Sequence, residues 1–123
     1  MYPDEYNEFS QLAKKYVVLN ILIKVLEYDK KVIKASTCKL IRVYEELLTE
    51  MQWKIEHDLV QIKKEMKYLG GTIIEEQQHP SVRIVKVKFK GFIYTHRFLN
   101  YLLQAESEQL FNEYAKPISN VKG

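Results

Sequence analysis

The stretch CKLIRVYEELLTEMQWKIEHDLVQIKKEMKYLGG, residues 38–71, decides how the chain is read. Within it Leu40, Tyr44, Leu47, Met51, Ile55, Leu59, Ile62, Met66 and Leu69 follow one another at steps of three and four. The mean step of about 3.6 is the period of a straight α-helix, not of a supercoiled seam. The pattern predicts one helix over about 38–69, with Gly70 and Gly71 stopping it as a left-handed cap. Such a helix spans about 48 Å, whereas a compact chain of 123 residues is only about 35 Å across. It therefore kinks or projects. A projecting apolar stripe has to be covered, and a second copy related by a two-fold axis supplies the cover. Trp53 and Val60 lie on the side opposite Met51 and Ile55, with His57 between them, so Trp53, His57 and Val60 are the candidate interface residues of a homodimer.

Upstream, Phe9, Leu12, Tyr16, Leu19, Ile23 and Leu26 recur at the same spacing, with Val18, Leu22 and Val25 widening the stripe. These residues predict an amphipathic helix over about 4–28. Pro3 and Asp4 suit its first turn, one by its fixed φ and the other by its charge near the N-terminus. Asp29, Lys30 and Lys31 interrupt the rhythm, which places a turn at 28–37 and leaves Ser36 or Thr37 to cap the next helix.

Downstream, residues 72–76 and 82–90 read as two strands around a turn containing Pro80, a hairpin over about 72–90. With the loop at 78–81, Glu76 faces Arg83 and Ile74 faces Val85. Val85, Val87 and Phe89 then share an inner face, and Lys86, Lys88 and Lys90 the other. Gly91 marks a bulge or bend, and Thr95 caps a last helix over about 96–115 that turns Leu99, Leu102, Leu103, Leu110 and Tyr114 inward. Pro117 ends it. The expected fold is α+β and predominantly helical: two long antiparallel helices, a β-hairpin and a C-terminal helix closing over it.

Composition narrows the class. With 46% hydrophobic residues and both charge signs interleaved, the chain can bury a core as a single domain over 1–123 and lacks the signature of disorder. Its one cysteine, Cys38, excludes an internal disulfide and a thiolate zinc cluster and points to a reducing compartment. The most apolar run, residues 16–28, carries Asn20 and Lys24 and falls short of a membrane span. Asp4, Glu5 and Glu8 have the wrong sign for a secretory leader. A cytoplasmic protein with no membrane partner is expected.

No nucleophile elbow, P-loop, dinucleotide fingerprint or paired-histidine zinc motif is present, so no catalytic residue, metal or cofactor is expected. The nearest polar constellation is His96, Arg97 and Glu106. Charge is uneven: residues 59–97 hold eight Lys/Arg against three Asp/Glu, although the chain's net charge is only +3. Lys63, Lys64 and Lys67 on the helix and Arg83, Lys86, Lys88 and Lys90 on the hairpin are candidate nucleic-acid contacts. With them, the run of helix, charged hairpin and closing helix from Ile62 to Leu103 resembles part of the winged-helix DNA-binding domains, and that resemblance implies phosphate contacts from those lysines. The leading expectation is a non-catalytic regulatory or adaptor protein, dimeric and acting through protein contacts. A nucleic-acid-binding protein is the alternative, and a small enzyme centred on His96 the remainder.

Overall fold

The computed structural model describes residues 4–116. Three helices and one antiparallel sheet follow in the order α1 (Asp4–Lys34), α2 (Ile41–Leu69), β1 (Gly71–Gln78), β2 (Val82–Phe89), β3 (Phe92–Leu99) and α3 (Asn100–Ala115). The α+β, predominantly helical architecture is as expected. Pro3 and Pro117, assigned to helix ends, lie outside the described residues.

At 31 and 29 residues, α1 and α2 are each more than about 40 Å long and form an antiparallel hairpin. Lys34 reaches Glu45, Lys30 reaches Thr49, and Glu27 reaches Gln52, each rung one turn further from the tip. Gln52 is the buried polar residue of the seam. Its amide nitrogen donates to Glu27 Oε1 at 3.1 Å and its carbonyl oxygen accepts from Lys30 Nζ at 2.7 Å. The Gln52 hydrogen bond and the nearby Lys30 ammonium hold the Glu27 carboxyl below its ordinary range.

The turn is shorter than expected, since α1 runs on to Lys34. Asp29, Lys30 and Lys31 break the apolar rhythm without ending the helix, and Lys30 bonds across to Thr49 and Gln52 of α2. Ser36 does not cap α2. Its hydroxyl donates to Ile33 O at 2.7 Å and accepts from Cys38 N at 3.1 Å, which closes α1 instead.

Nor does α1 bury a single stripe. Tyr6, Phe9, Ala13 and Val17 lie beneath one set of neighbours, while Val18, Leu19, Leu22 and Leu26 are buried on other sides. Its apolar residues therefore serve more than one neighbour, while Glu8, Gln11, Lys15, Lys24 and Lys31 keep the rest of the helix in solvent. It is the central pillar, touched by α2, α3 and the sheet.

Gly70 ends α2 at φ +100°, its N–H bonding back to Lys67 O. Gly71 then passes so close to Phe9 that a Cβ there would stand 2.3 to 2.7 Å from three ring carbons. The sheet is a meander, β1-β2-β3, and its inner face sets Val85, Val87 and Phe89 on α1 as expected.

Two features differ from the expected hairpin. A bulge at Ile74 shifts the register, so that Glu76 opposes Val85 and Gln78 opposes Arg83, and Ile74 opposes no residue. Residues 92–99 are a third strand, and the last helix starts at Asn100, four residues later than expected. Lys90 and Gly91, with φ of +50° and +88°, form the two-residue turn that joins β2 to β3, since paired positive φ values match the twist of a hairpin. Of the residues expected to face inward near α3, Leu103 is buried and Leu110 and Tyr114 are half-buried, while Leu99 and Leu102 are exposed.

Replacing Gly71 by Ala forces the Phe9 ring or the backbone aside and is expected to cost about 1–3 kcal/mol in urea denaturation. A stability unchanged within about 0.5 kcal/mol would show that the Phe9 contact is loose.

Candidate interaction surface

The outward side of α2 carries two interleaved rows at seven-residue spacing. Glu46, Trp53, Val60 and Lys67 form one, and Glu50, His57 and Lys64 the other. All of these lie away from buried Met51, Ile55, Ile62 and Met66, because positions differing by these steps return to the same side of a helix. Trp53 is 59% exposed and Val60 55%. The Trp53 ring lies with its centroid 4.1 Å from that of His57, an aromatic pair held open to solvent instead of folded into the core. Further up, Leu40, Tyr44 and Leu47, which the periodicity assigned to the core stripe, are exposed together with Val43. Tyr44 and Leu47 border an open groove whose other wall is Phe111, Tyr114 and Ala115 at the end of α3.

The row has a polarity. Glu46 and Glu50 stand at its N-terminal end and Lys64 and Lys67 at its C-terminal end, and among the described residues none of the four is in an ion pair. Glu46 and Lys67 are equidistant from the midpoint between Trp53 and Val60, near His57.

The seven candidate cations do not form one group. Arg83 is on the inner face of the sheet, opposite Phe98 and Gln78, where its Nη1 donates to Glu76 Oε1 at 2.7 Å and its Nε is buried without a partner among the described residues. That placement follows from the register, which turns odd-numbered β2 residues inward. Lys86 lies 3.8 Å from Glu75, and Lys90, in the turn, pairs with Glu5 of α1. Lys63, Lys64, Lys67 and Lys88 have no carboxylate partner among the described residues. Residues 41–69 form one unbroken helix, without the turn that a helix-turn-helix needs.

The polar constellation of His96, Arg97 and Glu106 does not assemble. His96 is on β3, facing inward, with Nε2 3.0 Å from the Tyr6 hydroxyl. Arg97 points to the opposite face, across from Ile84. Glu106 pairs with Lys14 at 2.7 Å. Burial pushes the His96 pKa down. Tyr114, whose hydroxyl donates to Asp58, has its pKa raised by burial first and by that carboxylate second. Among the described residues no cluster of His, Cys, Asp or Glu is placed to hold a metal ion, and no helix is long and apolar enough to cross a membrane. An open groove of about 760 Å³ runs between α1 and α3, floored by Leu22, Leu26 and Leu103 with Asp29, Arg83 and Glu108 at its rim.

These features define a small α+β protein in which a long helical hairpin carries a three-stranded meander and leaves one face of its second helix open. The chain belongs to the YhjD protein family, whose sequence pattern matches residues 3–118. It is 23% identical over 112 residues to the protein of Bacillus subtilis (strain 168) described as uncharacterized protein YhjD, covering 91% of this chain and 93% of that relative. No solved structure matches it.

A histidine whose pKa is lowered on folding contributes stability that is complete above its unfolded value of about 6.5 and is lost as pH falls through the folded value. The melting temperature of the wild type should therefore fall more between about pH 7 and pH 5 than that of His96→Gln, which keeps a hydrogen-bonding group for Tyr6. Identical pH profiles for the two proteins would show that His96 does not carry this dependence.

Proposed function

We propose that the protein is a non-catalytic cytoplasmic adaptor or regulatory module that works as a homodimer, with two copies of α2 packed antiparallel across their outward faces. The observation that carries this reading is the self-complementary row on α2. A two-fold axis near His57 sets Trp53 of one copy beside Val60 and His57 of the other. The same operation lays Glu46 and Glu50 along Lys64 and Lys67 of the partner at both ends. Isologous contacts require such internal complementarity, because each half must match the other half of an identical surface. The contact runs from 46 to 67, about 32 Å of helix, with an exposed tryptophan at its centre, the residue type most often found as an energetic anchor.

The charges set orientation more than strength. A parallel pairing would place acid against acid and lysine against lysine, so the antiparallel arrangement is selected. The separation of His96, Arg97 and Glu106 leaves the enzymatic reading without the constellation it started from. A nucleic-acid interface has weaker support than the dimer, because Arg83, Lys86 and Lys90 are engaged by carboxylates of the chain itself. It would require binding that falls steeply with salt and is lost in the Lys86→Glu, Lys88→Glu double variant.

Charge exchange tests the dimer directly. In sedimentation or light scattering, Glu46→Lys with Glu50→Lys should shift the protein toward monomer. Lys64→Glu with Lys67→Glu should do the same, and an equimolar mixture of the two variants should form a heterodimer with lysine facing glutamate at both ends and recover association. Trp53→Ala should weaken self-association at least about tenfold while changing stability by no more than about 0.5 kcal/mol. A wild-type monomer at high concentration and low salt would overturn the proposal, as would variants that associate unchanged.

A further inference from the structure

The two margins of the sheet are built differently. β1 is interrupted by the bulge at Ile74 and ends in Glu75, Glu76, Gln77 and Gln78. A bulge and charged side chains are devices that stop an edge from recruiting another strand. β3, the opposite margin, pairs with β2 residue for residue from Phe92 to Leu99 without a shift, and its sequence FIYTHRFL contains neither proline nor carboxylate.

The turn fixes which backbone groups of β3 are free. In a two-residue hairpin the flanking pair, here Phe89 and Phe92, is hydrogen-bonded, and the alternation of an antiparallel ladder follows from it. The N–H and C=O groups of Tyr94, His96 and Phe98 are thereby directed at β2, and those of Ile93, Thr95 and Arg97 away from it. The bond from Asn100 N to Ser81 O, 2.9 Å at the far end, has the same phase. Among the described residues, no backbone group of another element bonds to Ile93, Thr95 or Arg97. Beside this edge Phe92 and Ile93 are 67% and 63% exposed, and Leu99, Tyr101 and Leu102 are exposed too.

Charge selects the strand that fits. Residues 82–105 contain no Asp or Glu but include Arg83, Lys86, Lys88, Lys90 and Arg97. Lys86 and Lys88 are on the outer face opposite Thr95 and Ile93, and Arg97 is on that face as well. Pairing two copies of β3 would bring the Arg97 side chains of both chains to one seam, with the unpaired Lys88 of each one strand behind and no carboxylate on β3 to offset them, which is unfavourable. A strand bearing carboxylates on the outer face and apolar side chains beside Tyr94 and Phe98 on the inner face matches both sides.

We propose that the free edge of β3 is a docking site for an extended segment of a partner protein in which acidic residues alternate with β-branched or aromatic ones, added as a fourth strand. Backbone bonds supply affinity in this mode and the alternating side chains supply selectivity. The site stands apart from the α2 face: α2 packs beside β1, at the other margin of the sheet, so a dimer presents the edge in each copy.

The probes are a short blocked peptide alternating valine and glutamate and its counterpart with lysine for glutamate. In amide exchange followed by NMR, the glutamate peptide should slow exchange at Ile93, Thr95 and Arg97 by at least about tenfold, and the lysine peptide should not. Thr95→Pro removes an outward N–H at a position where an edge strand tolerates proline and should abolish the protection. Lys88→Glu with Arg97→Glu should reverse the peptide preference, and this arm stands even where the proline variant fails to fold. The proposal is overturned by a lack of protection from the glutamate peptide, by equal protection from both peptides, or by edge amides that the free protein already protects in proportion to its concentration. Protection that persists in a monomeric Trp53→Ala protein separates this site from the dimer.

Discussion

The ring of Phe9 against the backbone of Gly71 is the contact on which the remaining geometry depends. Phe9 is fully buried, and the approach is too close for any side chain at residue 71. The junction between α2 and β1 is thereby clamped to the second turn of α1. Gly70, in its left-handed conformation, can then redirect the chain in one step, and its carbonyl accepts from Lys90 N at 2.9 Å, which binds the end of β2 to the same point. Once β1 and β2 are anchored there, the inner face of the sheet has nowhere to lie except on α1. β3 and α3 follow from the hairpin turn at Lys90 and Gly91.

A second constraint acts along the helical hairpin. Apolar stripes alone allow two antiparallel helices to slide by a turn or more, because one leucine layer packs much like the next. Gln52 removes that freedom. Its amide is satisfied only where Glu27 and Lys30 stand opposite, so any other register leaves a buried polar group without partners, at a cost of about 1–3 kcal/mol. The same register leaves the outward row of α2 clear of α1 and available along its length.

The helices were legible because their apolar residues recur at one period over many turns. The third strand was not, for a physical reason. Residues 82–90 announce themselves by alternating lysine with valine, but 92–99 carry aromatic or aliphatic residues on both faces, so no polar period marks the strand, and Thr95 before His96 imitates a helix cap. Enrichment in β-formers through Phe92, Ile93, Tyr94 and Thr95 was the available signal. Trp53, His57 and Val60 could be assigned to the outward side of α2 from angles alone. The inward side of Arg83 followed from the alternation that turns Val85, Val87 and Phe89 inward, but its partner did not, since the bulge at Ile74 moves Glu76 from Arg83 to Val85 in the ladder. The separation of acids and lysines along α2 was present in the sequence, but it acquires meaning only once Glu46, Glu50, Lys64 and Lys67 are known to share an open face.

The burial of α1 against several neighbours also has a consequence for how the chain comes into being. Of the described elements α1 is synthesised first and α3, which packs beside Leu22 and Leu26, last. At about 5–20 residues per second, α1 spends several seconds with its greasy flanks unprotected. Until α3 is made, Leu22 and Leu26 lack the neighbour beside which they are buried in the complete fold, so the order of synthesis leaves these leucines waiting for their partner.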